Sequence, residues 1–195
     1  MKKKCNFANE ISIMQRIFLI GYMGCGKTTL GGKIAARLGV AFVDLDKVIE
    51  AKYHKTVSEI FSEFGQEYFR KIEHNTLLQV ADYENVLIAT GGGTPCFFDN
   101  MDIMNSCGDT IYICLKPEEL ATRFTKSNVA KRPLLKEKEG AEMIDFIKNT
   151  LAEREKFYMQ AKYIIDGTDK DIVDKIVQLV KSCRQCDAGI NSEKR

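Results

Sequence analysis

The segment Gly21-Tyr22-Met23-Gly24-Cys25-Gly26-Lys27-Thr28-Thr29 satisfies the pattern G-x-x-x-x-G-K-[ST] and constrains this chain more than any other feature. Glycines let the backbone curl until successive N–H groups point inward at one anion. A helix that begins at the lysine presents its N-terminus to the same anion. Lys27 is then placed to reach the β- and γ-phosphates of a nucleotide, and the Thr28 hydroxyl to ligate Mg²⁺. A match by chance is expected in roughly one chain of this length in a hundred. The flanks argue against chance. The apolar run at 16–21 reads as a buried strand, and residues 27–38 read as a helix stopped by Gly39.

The rest of the chain repeats that alternation. Strands are expected at 40–45, 86–89, 110–115 and 163–165. Helical segments are expected at 47–82 with a break near Gly65, at 97–106, from Pro117 onward, at 141–160 and at 170–183. Five strands separated by helices predict an α/β fold: a three-layer P-loop NTPase architecture with a five-stranded parallel sheet flanked by helices. Residues 126–140 are polar, basic and contain Pro133, and read as a mobile lid loop. Residues 16–183 read as a single domain, with 1–15 and 184–195 as disordered extensions. Sites in such sheets lie at the carboxyl ends of the strands, and every motif below falls there.

Composition excludes several alternatives. Lys plus Arg is 29 and Asp plus Glu is 27, a balance that gives no case for a nucleic-acid or membrane partner. The seven cysteines are odd in number and scattered, with no zinc spacing, and suit reduced core residues in a cytoplasmic protein. Cys183 and Cys186 form a C-x-x-C without neighbouring ligands. Met1-Lys2-Lys3-Lys4 is followed by no apolar segment of signal-peptide length, and no run approaches the ~18 apolar residues of a membrane span.

Four further groups can carry chemistry. Asp44 and Asp46 close the second strand. Being two apart, they are expected to face the site mouth together, one holding water on Mg²⁺ and one approaching a hydroxyl. Equally, Asp46 can be a plain helix cap. Arg70 and Glu73 share a helix face beside apolar Phe69 and Ile72. They form either a solvated pair or an arginine braced toward an anionic substrate. The triplet Gly91-Gly92-Gly93 follows the third strand. Its entropic cost suits a place where a ligand presses on the backbone, with a tight turn as the alternative. Arg132 lies in the lid, where a basic residue can close over transferring phosphate or simply remain solvated. Arg154, taken alone, is a surface arginine between glutamates.

Taken in order, D-x-D, F-R-x-x-E, G-G-G, R-P-L-L and the late E-R-x-x-x-Y resemble the shikimate kinase family over about residues 16–180. The resemblance implies an ATP-dependent phosphotransferase acting on the 3-hydroxyl of shikimate, with Mg²⁺, on the route to chorismate and the aromatic amino acids. It implies that Gly24, Cys25, Gly26, Lys27, Thr28 and Thr29 bind ATP phosphates. Thr28 would sit on the metal, and Asp44 would support it through water. Asp46 would contact shikimate hydroxyls as the candidate base. Arg70 and Arg154 would pair with its carboxylate, with Glu73 holding Arg70. Gly91, Gly92 and Gly93 would touch shikimate, and Lys27 and Arg132 would neutralise the phosphates. A monomer is expected. The rivals are a gluconate or nucleoside monophosphate kinase on the same fold, and a nucleotide-binding regulator without catalysis.

Overall fold

The computed structural model describes residues 16–126 and 140–192. The segment 1–15, Arg132 with most of the expected lid, and residues 193–195 lie outside the described residues. In chain order the elements are β1 (Arg16–Ile20), α1 (Lys27–Leu38), β2 (Ala41–Asp44), α2 (Leu45–Tyr53) and α3 (Val57–Val80). They continue with β3 (Val86–Ala89), a 3₁₀ turn (Thr94–Cys96), α4 (Asn100–Cys107), β4 (Asp109–Ile113), α5 (Pro117–Lys126), α6 (Gly140–Tyr158), β5 (Tyr163–Ile165) and α7 (Asp169–Ser192).

The five strands form one parallel sheet in the order β2-β3-β1-β4-β5. β1 is central and, from Ile17 to Ile20, apolar and buried because both its faces are covered. Ile17 and Leu19 point to one face, where α1, α5, α6 and α7 contribute Ile34, Phe124, Ile147 and Ile176. Phe18 and Ile20 point to the other, against Ile49, Ile72, Leu77 and Met104 of α2, α3 and α4. The chain moves to one side of β1 for β2 and β3, then to the other for β4 and β5. The carboxyl end of β1 therefore opens into the crevice where the winding reverses.

Helix ends follow local chemistry. Gly39 ends α1 at φ 68°, its N–H returning to the Ala35 carbonyl. Thr56 and Glu59 form a reciprocal capping box at the start of α3. The expected break in that helix is Gly65, at φ 79° and ψ 174°.

Three boundaries differ from the sequence reading. β2 ends at Asp44 because the Asp44 carboxylate accepts from the Lys47 N–H and caps α2. The expected helix at 97–106 begins only at Asn100, as α4, behind the 3₁₀ turn at Thr94–Cys96. Pro95 is the second residue of the turn, Phe97 is extended, and Phe98 stands at φ 51° between turn and helix. The last helix runs on to Ser192, where polar composition suggested a tail. A polar composition is compatible with backbone helix hydrogen bonds, and no proline interrupts the segment.

Candidate active site

The loop between β1 and α1 is built on three glycines with positive φ: Gly21 at 146°, Gly24 at 82° and Gly26 at 98°. A Cβ at Gly21 would fall 2.8 Å from the Ile113 carbonyl oxygen, so only glycine fits there. Gly26 is the N-cap of α1 and makes no side-chain cap, which leaves the first N–H groups of the helix to face the cleft. The Cys25 side chain is fully buried, so this residue can address an anion only through its backbone. Lys27 is 7% exposed. Its ammonium donates to the carbonyls of Gly21 (2.7 Å) and Tyr22 (3.0 Å), which holds it inside the curve of the loop. Thr28 and Thr29 are exposed at its mouth. The Thr28 hydroxyl donates to Asp44 Oδ2 at 2.6 Å, placing two side-chain oxygens side by side.

Asp44 and Asp46 do line one cleft, but not by strand alternation. Asp44, and not Asp46, is the helix cap, and Asp46 lies in the first turn of α2. The cleft has a volume of about 380 Å³ and is walled by Lys27, Thr28, Asp44, Asp46, Thr90 and Gly92, among others.

The glycine triplet forms the next wall, and a different group presses on each residue. A Cβ on Gly91 would lie 2.6 Å from Glu73 Oε1 and 3.1 Å from Asp46 Oδ1. One on Gly92 would lie 3.0 Å from the Met23 backbone nitrogen of the phosphate loop. One on Gly93 would lie 2.5 Å from Arg70 Nη2. The Gly92 carbonyl also accepts from Tyr158 (2.5 Å) and, at 3.5 Å, from Arg154, both on α6. Asp46, Arg70, Glu73 and Arg154, spread over 108 positions of sequence between the first and the last, thus gather on three consecutive glycines. Arg70 pairs with Glu73 at 2.6 Å, with side chains only 12% and 1% exposed, so the pair is not the solvated one. Phe97 packs on the guanidinium at 4.2 Å.

A family model described as "Shikimate kinase" matches residues 23–183. The shikimate kinase of Parabacteroides distasonis is 48% identical over 172 residues, 86% of this chain and 99% of that protein. The crystal structure of shikimate kinase from Bacteroides thetaiotaomicron superposes with a TM-score of 0.81 at 45% identity, covering 86% of this chain and 98% of the other. The enzyme from Acinetobacter baumannii, solved in complex with shikimate, gives a TM-score of 0.78 at 31% identity, with 87% and 94% covered.

The chain belongs to the shikimate kinase family.

Within this shikimate kinase fold the cleft is electrostatically divided. Burial at the cleft floor pushes the Asp46 carboxyl up to about 6, and the Glu73 and Asp44 carboxylates add to the shift while Lys27 opposes it. A carboxyl raised in this way at a cleft wall can exchange a proton nearer neutral pH than a free aspartate. On the other side of the triplet the charge is positive. Arg70 Nε is buried without a hydrogen-bond partner among the described residues, an N–H that an anionic oxygen would satisfy.

The sequence reading missed four residues. Arg123 of α5 donates to the Cys25 carbonyl at 3.2 Å, pairs with Asp169 and shares the cleft wall with it. Thr94 donates to Glu73 Oε1 at 2.6 Å. Tyr158, present in the motif as a bare Y, holds the triplet through the Gly92 carbonyl. Only Tyr158 had a sequence signal, its spacing from Arg154. Arg123 and Asp169 lie in ordinary amphipathic surroundings and meet only through the packing of α5 and α7 on the phosphate loop. Among the described residues no helix is long and apolar enough to cross a membrane.

Proposed function

We propose that this chain transfers the γ-phosphoryl group of ATP to the 3-hydroxyl of shikimate, giving 3-phosphoshikimate and ADP, a step toward chorismate and the aromatic amino acids. The gathering of one carboxylate and two guanidiniums on Gly91–Gly93, beside a phosphate loop, supports this reading. An acceptor bearing one carboxylate and several hydroxyls matches that set. Guanidiniums take the carboxylate and an aspartate takes a hydroxyl proton. A phosphate-bearing acceptor would call for more arginines than Arg70 and Arg154.

In the reaction the acceptor oxygen attacks the γ-phosphorus, the bond to ADP breaks, and the proton passes to Asp46. Asp46 stands against Gly91 at one end of the triplet while Arg70, braced by Glu73, and Arg154 anchor the acceptor's carboxylate toward the other, which fixes the hydroxyl in line. The phosphate-loop N–H groups and Lys27 stabilise charge on the transferring group. Arg132, from the basic segment at 126–140, is proposed to add to that charge.

The Thr28 hydroxyl and Asp44 carboxylate, 2.6 Å apart at the cleft wall, suit Mg²⁺, which takes a few protein oxygens plus water and substrate phosphates. Thr28 would hold it directly and Asp44 through water. Bound there, the ion would supply charge neutralisation to the nucleotide's phosphates. The protein is proposed to act as a cytoplasmic monomer.

The test is ADP release from protein, Mg²⁺ and ATP with shikimate, gluconate or AMP supplied side by side. Turnover is expected with shikimate alone. Equal or greater turnover with either alternative would assign the acceptor site to that substrate, and ATP binding without turnover would leave a regulator.

A further inference from the structure

The Arg70–Glu73 pair is itself held by something. Glu73 is 1% exposed, and each of its oxygens has one named partner: Oε2 accepts from Arg70 at 2.6 Å and Oε1 from the Thr94 hydroxyl at 2.6 Å. Thr94 is fully buried at the start of the 3₁₀ turn that follows the triplet. Its carbonyl accepts from Asn100 Nδ2 at 2.8 Å, and Asn100, also fully buried, opens α4. The other end of that amide, Oδ1, meets His74 Nδ1 of α3 at 2.7 Å. Since Nδ2 is spent as a donor on Thr94, Oδ1 is the acceptor and the His74 ring N–H the donor. A continuous line of polar contacts thus runs from half-buried His74 through Asn100, Thr94 and Glu73 to Arg70. It leaves α3 at residue 74 and returns to it at residue 73.

This loop of contacts has a geometric consequence. A carboxylate with a single neighbour can rotate about its last torsion. One held at both oxygens cannot without breaking a buried hydrogen bond, and the low local dielectric makes that break expensive. The plane of Glu73 sets where the Arg70 fork points. The same turn carries Gly93, against which Arg70 rests. Thr94 therefore controls Arg70 twice, through Glu73 and through the position of the glycine wall.

We infer that Thr94 and Asn100 are positioning residues of the acceptor site. They fix the Glu73 carboxylate, and hence the Arg70 guanidinium, in the orientation that receives the acceptor's carboxylate. The inference rests on the proposed acceptor chemistry, and the test separates the two.

The experiment compares Thr94→Val, Thr94→Ser and Asn100→Asp with the unaltered protein. It uses steady-state kinetics for shikimate and ATP, calorimetric titration with shikimate and with ADP, and thermal melting. Valine keeps the shape of threonine and removes the hydroxyl. The loss of one buried hydrogen bond to a charged group should raise KM and Kd for shikimate about tenfold. ADP binding should be unchanged and kcat should alter by no more than about twofold. Thr94→Ser should restore the unaltered values, and Asn100→Asp, which lacks the Nδ2 donor, should move the same way as Thr94→Val. An unaltered protein inactive on shikimate overturns the function. An active one whose Thr94→Val variant keeps its shikimate KM, or loses ADP binding equally, overturns the positioning role. Failure of Asn100→Asp to fold leaves the decision with the Thr94 pair.

Discussion

The Arg70 guanidinium rests so closely on Gly93 that a single methyl group there would lie 2.5 Å from Nη2 and 2.8 Å from Cζ. Gly93 itself has φ −97°, a backbone any residue adopts. The glycine is required by its neighbour and not by its own conformation. Gly93→Ala should therefore leave thermal stability within about 1 kcal/mol, because the displaced atoms are the far end of a long side chain. It should weaken shikimate binding roughly tenfold or more, because Arg70 is pushed out of register. Melting temperature and shikimate titration measured on the same sample check both halves.

Arg70→Ala should raise KM for shikimate by two orders of magnitude or so and leave KM for ATP nearly unchanged. Equal effects on both substrates would remove Arg70 from the acceptor site. Some destabilisation should accompany the change, since Glu73 at 1% exposure loses the Arg70 cation and is left with the neutral Thr94 hydroxyl.

Lys27→Met should reduce turnover by at least about a thousandfold. The same substitution leaves the Gly21 and Tyr22 carbonyls without their ammonium donor, which should lower stability by about 1–3 kcal/mol. Near-normal rates from a folded variant would undo the phosphate-loop assignment.

Asp46 links activity and stability to pH. Its carboxyl stands at about 6 in the folded protein against 3.8 for the free side chain. As pH falls through about 6 the base is protonated, so kcat/KM for shikimate should drop on an acid limb near that value. Stability runs the other way. The folded state holds the proton more tightly, so this contribution is fully present below pH 3.8 and is lost as pH rises through about 6. At pH 8 the ionised carboxylate should cost on the order of 3 kcal/mol. Asp46→Asn should thus melt at higher temperature than the unaltered protein at pH 8, with the gap closing toward pH 4, while kcat falls about a hundredfold or more and nucleotide binding persists. A gap that widens toward low pH would contradict the assignment.

Local physics made much of this chain legible before folding is considered. The glycines and Lys27 of the phosphate loop, the stop at Gly39, the break at Gly65 and the five apolar strands are written in neighbouring residues. Each depends on positive φ, a cap or the placing of an apolar run in a sheet. What involves partners far apart was not legible in the same way. Sequence spacing placed Asp44 and Asp46 together on a strand. The structure instead caps a helix with Asp44 and brings Asp46 to the same cleft from the first turn. Nothing near Thr94 or Asn100 points to Glu73, and nothing in α5 points Arg123 at the Cys25 carbonyl. The linear chain determined which groups were available and which turns they could make. Only the stacking of α3, α4 and α6 over the end of β3 decided which of them share a wall, because contacts across 21 to 66 residues depend on how whole elements pack, and no local pattern encodes that.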